Sequence, residues 1–190
     1  LAQQKEIVLP LNKKEVEALY AGEKVYLTGK IYTARDALHK MFFELLQKNK
    51  PLPVNLEGQV IYYAGPTPAR PGEVVGSIGP TSSYRMDPYT PLILSKTGLK
   101  GMIGKGQRRE DVKKALQKNQ AVYFAAVGGA GALLAQHVER CELLAFAELG
   151  PEALYVLEVK NFPAIVANDI YGNDLYEEGP KKYRKLETIW

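Results

Sequence analysis

The hydrophobic pattern of this chain changes period several times. Glu6-Ile7-Val8-Leu9 is a short strand candidate. Asn12-Lys13-Lys14-Glu15 opens a short amphipathic helix through Leu19, with Asn12 as its cap and Ala21-Gly22 as its end. Residues 24–32 alternate and are rich in β-formers, which predicts a longer strand. Thr33-Ala34-Arg35-Asp36 then turns into a helix running to about Lys48, with Leu38, Met41, Phe42 and Leu45 at helical spacing. Pro51 and Pro53 break that helix. Residues 59–64 read as a buried strand, 65–72 as a rigid proline-dense loop and 73–78 as an extended run.

A tight turn at Gly79-Pro80 follows, leading into a helix start capped by hydroxyl residues ahead of the apolar segment 89–94. Residues 101–103 predict a short strand running into Gly104-Lys105-Gly106, then an amphipathic helix over 108–118. Residues 121–127 are a buried strand candidate. Gly128-Gly129-Ala130-Gly131 connects it to a helix over 132–138. Residues 141–149 are strand-like, Gly150-Pro151-Glu152 is a turn, and 153–159 and 162–166 are two further strands before a turn-rich end at 168–174. Strands alternating with helices argue the α/β class.

Composition narrows this picture. With 190 residues and 46% apolar content the chain is one large domain, or one with a small addition, and wholesale disorder is excluded. Cys141 is the only cysteine, so there is no internal disulfide and no cysteine-rich metal site within the chain. That usage fits a reducing, cytoplasmic setting. The N-terminus lacks an apolar signal core and an initiator Met, so a few residues are expected to be missing or processed. The longest uncharged apolar run, 121–135, falls short of the roughly 20 residues of a membrane span. Net charge is +4, with one basic cluster at Lys181, Lys182, Arg184 and Lys185. Tyr183 interrupts it and Glu177 and Glu178 precede it, so it reads as a solvated tail rather than a nucleic-acid or lipid surface. Mild basicity also suits a small anionic substrate.

The candidate chemistry collects at strand-to-helix turns, where α/β sheets bind ligands. Gly79-Pro80-Thr81-Ser82-Ser83-Tyr84-Arg85-Met86-Asp87 packs hydroxyls, an arginine and an acid closely; free N–H groups and hydroxyls at a helix start make an anion pocket. The other reading is a well-capped helix with a solvated Arg85. Arg35 opposes the helix dipole at its own turn, so either Asp36 or an anionic ligand is expected to offset it, and an Arg35–Asp36 surface pair is the structural alternative. His39 lies one turn later. Gly104-Lys105-Gly106 lets a backbone approach a ligand closely, with Lys105 as a point charge. It is neither a Walker loop, since Leu99 stands where that spacing needs glycine, nor a dinucleotide fingerprint, since Arg109 takes the third glycine position. The glycines of that run, Gly128, Gly129 and Gly131, either hold an oxyanion or serve close strand–helix packing. His137 reads as structural. Two arginines and a lysine converging at such turns would suit a dicarboxylate.

These residues also carry a resemblance. Tyr32-Thr33-Ala34-Arg35-Asp36-Ala37 with His39-Lys40, Tyr63-Ala64-Gly65-Pro66, Gly79-Pro80-Thr81-Ser82 with Arg85-Met86-Asp87, Ile103-Gly104-Lys105-Gly106 and Gly128-Gly129 occur in this order. Together they resemble the β subunit, or C-terminal domain, of class I fumarate hydratases and L-tartrate dehydratases, over roughly residues 7–176. The resemblance implies a swivelling β/β/α domain, a mixed barrel-like core flanked by helices, over 1–176, followed by a polar tail over 177–190. It implies reversible hydration of fumarate to (S)-malate, or alternatively dehydration of L-tartrate, by a two-subunit enzyme whose β chain is inactive alone. An oxygen-sensitive four-iron four-sulfur cluster is then expected on three cysteines of an α partner, with none on this chain, in a hetero-oligomer or, for the isolated chain, a homodimer. Arg35, Arg85 and Lys105 match the family's substrate-carboxylate ligands. Thr81 matches the hydroxyl proposed as catalytic base, and Ser82 stands where the family commonly has threonine. Asp36, His39, Asp87, Gly104, Gly128 and Gly129 are supporting candidates. A stand-alone anion-binding or regulatory module on the same fold is the non-enzymatic alternative.

Overall fold

The computed structural model describes residues 5–184. Leu1 to Gln4 and Lys185, the last cation of the basic cluster, lie outside the described residues. Seven strands form one mixed sheet in the order β1-β2-β3-β4-β5-β7-β6, and an additional β2–β7 pairing closes five of them into a barrel. The strands are β1 (Lys5–Val8), β2 (Lys24–Thr33), β3 (Val60–Tyr62), β4 (Gly101–Gly104), β5 (Val122–Ala125), β6 (Val138–Ala145) and β7 (Leu154–Asn168). β1 through β5 run parallel, and β7 runs antiparallel to β2, β5 and β6. The α/β class is the one expected from the residue pattern, and the barrel-like core flanked by helices is the one implied by the resemblance.

Alternation builds the barrel. Leu27 and Ile31 of β2, Tyr62 of β3, Ile103 of β4 and Phe124 of β5 share one buried cluster with Leu157, Phe162 and Val166 of β7. Their neighbours Ile61, Tyr63, Met102 and Tyr123 join a second buried cluster on the other face of the sheet. Both faces are therefore buried, which explains the near-continuous apolar runs of β3 and β5. The second cluster is closed by α2 (Asp36–Gln47), α3 (Thr90–Thr97) and α4 (Glu110–Asn119), through Leu38 and Phe42, Ile93 and Leu94, and Val112 and Leu116. Each of these helices follows one parallel strand and precedes the next, as crossover connections require. Helix α1 (Lys13–Glu17) is capped by Asn12 in a full capping box with Glu15, and its Val16 joins the interior cluster.

Several readings of the sequence need correction, among them the strand over 141–149, which is β6 followed by a 3-10 turn, Ala147–Glu152. Residues 73–78 pair with no strand; Val75 and Ile78 enter the interior cluster from a loop, and the Tyr62 hydroxyl donates to the Ile78 carbonyl at 2.6 Å. Their apolar character comes from plugging the barrel, not from pairing. The expected hydroxyl-capped helix start is a 3-10 turn, Ser83–Met86, with no side-chain cap; regular helix begins at Thr90. The two strands foreseen over 153–166 are one, β7. The side-chain alternation flips between Val159 and Phe162 because Asn161 takes a left-handed φ of 51°, its N–H held by Thr28 Oγ1 at 3.0 Å. The first residues of the polar tail lie in helix α6 (Leu175–Tyr183), capped by Asp174, while α5 (Gly131–Ala135) is a short turn of helix between β5 and β6.

Candidate functional site

The parallel strands β2 to β5 deliver their C-terminal ends to one rim of the barrel. β2 leads to Arg35 and Asp36, β3 to Tyr63, β4 to Lys105 and β5 to Gly128 and Gly129. The segment around Thr81 is wedged between two of these ends. The Thr81 N–H donates to the Tyr63 carbonyl at 2.6 Å, the Lys105 N–H to the Thr81 carbonyl at 3.3 Å and the Ser83 N–H to the Lys105 carbonyl at 2.8 Å. Ser82 and Lys105 thus form an isolated parallel bridge, a one-residue extension of the sheet between β3 and β4. This pairing uses the Thr81 and Ser83 N–H groups, two of the amides that the sequence offered to an anion pocket. Gly104 makes the wedge possible: a Cβ there would stand 2.0 Å from Ser83 Oγ and 2.9 Å from the Tyr63 ring. Thr81 and Ser82 are half-buried, and among the described residues their hydroxyls make no hydrogen bond.

The charges at the rim are not paired as neighbours in sequence. Arg35 faces Glu152 at 3.3 Å, and Asp36 faces Arg85 Nε at 2.7 Å. The Arg35–Asp36 pair is therefore corrected to two tertiary pairs. Glu152 also accepts the Ala37 N–H at 2.9 Å, so it is the carboxylate that complements the start of α2. Arg35 Nε and Asp36 Oδ2 are buried with no hydrogen-bond partner. Among the described residues no carboxylate lies within 4.0 Å of Lys105. Its stem passes Gly128, where a Cβ would sit 3.4 Å from Lys105 Cδ and 3.7 Å from Nζ. Within the glycine run the close packing is at Gly131, whose Cβ would meet the Gly79 nitrogen at 2.9 Å. Three cations and two carboxylates leave the rim with a net positive charge.

Beneath the rim lies a different polar cluster. Asp87 and Arg108 pair at 2.7 Å with both side chains fully buried. Arg108 also donates to Thr90 Oγ1 at 3.0 Å and to the Tyr63 hydroxyl at 3.3 Å, and its guanidinium stacks over the Tyr63 and Tyr123 rings. The second Asp87 oxygen accepts the Arg109 N–H at 2.9 Å. Burial works against the charge on Arg108, but Tyr63, Asp87 and Tyr123 outweigh it and hold the guanidinium protonated. His39 is 2% exposed, donates Nδ1–H to the Arg35 carbonyl at 2.9 Å and meets the Tyr63 ring edge-on. Burial, helped by Arg108, lowers its pKa to about 4, so it is neutral at neutral pH.

Sequence reasoning overlooked Glu152, Arg108, Tyr123 and Tyr176. Glu152 sits in a Gly-Pro turn and Arg108 in an amphipathic segment, and neither carries a local signal of burial. Arg35, Thr81, Ser82, Lys105 and Gly128 lie on loops at the rim, with Asp36 at the start of α2 and Arg85 in the 3-10 turn beside them. His39, Asp87 and Gly104 support them from below. Partly exposed cations, free hydroxyls and a surplus positive charge equip this rim to bind a small anion carrying carboxylates.

Comparison with known proteins agrees in extent and kind. Residues 2–179 match the family model described as Fumarase C-terminus. The chain is 44% identical to a Methanocaldococcus jannaschii protein provisionally named L(+)-tartrate dehydratase subunit beta, over 94% of this chain and 95% of that one. It is 34% identical to the L(+)-tartrate dehydratase subunit beta of Escherichia coli K12, over 93% of this chain and 89% of that one. It is 39% identical to the mitochondrial fumarate hydratase 1 of Leishmania major, over 91% of this chain but 31% of that much longer protein.

Proposed function

The chain belongs to the fumarase C-terminus family, and from that premise we propose that it is the β subunit of a two-chain hydro-lyase that hydrates fumarate reversibly to (S)-malate. One observation carries the reading: the unpaired Thr81 and Ser82 hydroxyls lie on the segment bridged to Lys105, a cation without a carboxylate partner among the described residues. A module that only bound anions would have no need of the hydroxyl pair. L-tartrate dehydration is the second reading, favoured by the near full-length match to two proteins named as tartrate dehydratase β subunits.

Lys105, Arg85 and Arg35 clamp the substrate carboxylates and fix the double bond in register. The Arg85–Asp36 pair is 42% and 30% exposed at its two side chains, and such pairs are worth about 0–1 kcal/mol, so a substrate carboxylate can displace or share it. The same cations stabilise the negative charge that spreads onto a carboxylate during the reaction. Thr81 Oγ1 faces the substrate and moves its proton. An unassisted threonine hydroxyl is a weak base near neutral pH, so the proton needs a further acceptor.

The iron–sulfur cluster implied by the family would supply a Lewis acid for the departing hydroxyl. The residues of this chain do not fit it. Cys141 is the single cysteine where a cluster needs three, it lies on β6, and burial pushes its thiol up, away from the thiolate that binds metal. The cluster belongs to an α partner.

The test is co-production of this chain with a cysteine-bearing α partner, followed by steady-state assays on fumarate and on L-tartrate. A higher kcat/KM for fumarate is expected. A higher value for tartrate selects the second reading, and turnover of neither by a cluster-loaded complex overturns the hydro-lyase assignment.

A further inference from the structure

Gly106, next to Lys105, is held at both its N–H and its carbonyl, in the two peptide groups that flank it, by tyrosines from separate elements. Its N–H donates to the Tyr176 hydroxyl of α6 at 2.9 Å. Its carbonyl accepts the Tyr123 hydroxyl of β5 at 2.9 Å. The Tyr123 proton is thereby committed, so Ser83 Oγ, 2.8 Å away, donates to Tyr123. Gly106 has a φ of +84°, a left-handed turn that L side chains avoid and glycine adopts freely, and the two tyrosine bonds hold the flanking peptide groups in one orientation. Helix α6 is itself fastened to the body of the domain. Asp174 caps it by accepting the Tyr176 N–H at 2.9 Å, and its other oxygen lies 2.9 Å from Lys113 Nζ. Lys113, on α4, also pairs with Glu110 at 2.6 Å and with Glu177 of α6.

We infer that helix α6 is a positioning element for the candidate site. Through the Tyr176 hydroxyl it fixes the Lys105–Gly106 peptide group, and with Tyr123, which holds the next one, it sets the direction in which Lys105 presents its ammonium to a substrate carboxylate. The inference rests on the proposed role of Lys105 but assigns a task to the chain's polar end, which the sequence left without one. Tyr123 couples the two halves of the rim, since its hydroxyl joins the Lys105–Gly106 turn to Ser83 in the Thr81 segment. Tyr176 acts on the turn alone, because its partner is the Gly106 amide. Neither tyrosine is a catalytic residue here; each acts through the turn.

The experiment reads the turn and the chemistry separately. In the full 190-residue chain, amide hydrogen exchange is followed for Gly106 and for β4 in the native protein, Tyr176→Phe and Lys113→Met. Tyr176→Phe removes one hydroxyl from a half-buried ring and leaves the fold intact, so Gly106 is expected to exchange about tenfold faster while β4 is unchanged, as for the loss of one net hydrogen bond. Lys113→Met, distant from the rim, should move Gly106 in the same direction by a smaller factor, and Lys113→Arg should restore it. In the assembled enzyme Tyr176→Phe is expected to raise KM about three- to tenfold with kcat within twofold, the signature of a loosened clamp. An unchanged Gly106 rate overturns the inference, as does an unchanged KM in an active complex. If Lys105→Met leaves KM unaltered, or the complex turns over no dicarboxylate, the functional reading fails, and the Gly106 rates then decide on their own whether α6 orients the turn.

Discussion

Two arginine–carboxylate systems lie close together at the strand ends and differ in everything that surrounds them. Arg108 and Asp87 are fully buried, and their groups are met by Thr90, Tyr63, the Arg109 amide and two aromatic faces. Arg85–Asp36 and Arg35–Glu152 at the rim are partly solvated and leave Arg35 Nε and Asp36 Oδ2 without partners. A saturated buried pair can only be broken at high cost, because either partner alone is a charge in a low-dielectric interior. An unsaturated, half-exposed pair can exchange partners cheaply. The molecule thus separates a fixed lower tier, which ties the 3-10 turn to β3, β5 and the start of α4, from a rim whose cations remain available to a ligand.

The largest effect is expected from breaking the lower tier. Arg108→Leu strands Asp87 and should destabilise the fold by about 3–5 kcal/mol. Adding Asp87→Leu should recover much of that loss, because it removes the orphaned charge. Urea unfolding of the single and double variants measures both; equal stabilities for the single variant and the native chain would mean the pair is not the anchor described.

The next effect concerns pH. The folded pKa of His39 is lowered to about 4 from its ordinary 6.5. The unfolded chain therefore binds the proton first on acidification, and stability falls with decreasing pH between about 6.5 and 4, by on the order of 3 kcal/mol in total. Above that window His39 contributes no slope. His39→Asn keeps a donor to the Arg35 carbonyl without a titrating ring, so its stability profile should be flatter across the same window, as denaturant midpoints at several pH values will show.

At the rim the expected losses are in rate and binding rather than in stability. Thr81→Ala, assembled with its partner, should lower kcat by at least about a hundredfold with KM near its original value, because a proton-transfer group acts only in the transition state. Arg85→Ala should raise KM first, with a smaller loss of kcat if orientation suffers. Steady-state kinetics with cluster content checked for each variant separates the two; a Thr81→Ala enzyme with normal kcat would move the base elsewhere.

The smallest effect is expected for Asp36→Asn. It severs a half-exposed pair and should change the unfolding free energy by less than about 1 kcal/mol. Asp87→Asn, by contrast, should lose several times that amount in the same urea titration. Comparable losses would erase the distinction between rim and lower tier.

Much of the framework was legible along the chain because it rests on local periodicity. The β2 alternation, the helical stripe of α2, the Asn12 capping box and the glycine before Lys105 are each specified by residues a few positions apart. The rim loops were legible for the same reason, since hydroxyls and cations concentrate at strand ends. What escaped were contacts whose two halves lie far apart. Local sequence offers Arg35 its neighbour Asp36 or an anionic ligand, whereas its partner Glu152 arrives from the turn before β7. Arg108 and Lys118 look alike in an amphipathic segment, yet one is buried against Asp87 and the other is not.

The sequence by itself determined the α/β class, the helices that follow the parallel strands, and the presence of a single cysteine where a cluster needs three. Only the tertiary structure decided that β2 meets β7 to close the barrel, that residues 73–78 plug it instead of pairing, and that β7 is one strand turned over at Asn161. The reason is physical. Side-chain period and turn chemistry act over a few residues and are written locally, whereas closure, burial of charge and choice of ion-pair partner depend on which distant segments exclude water together.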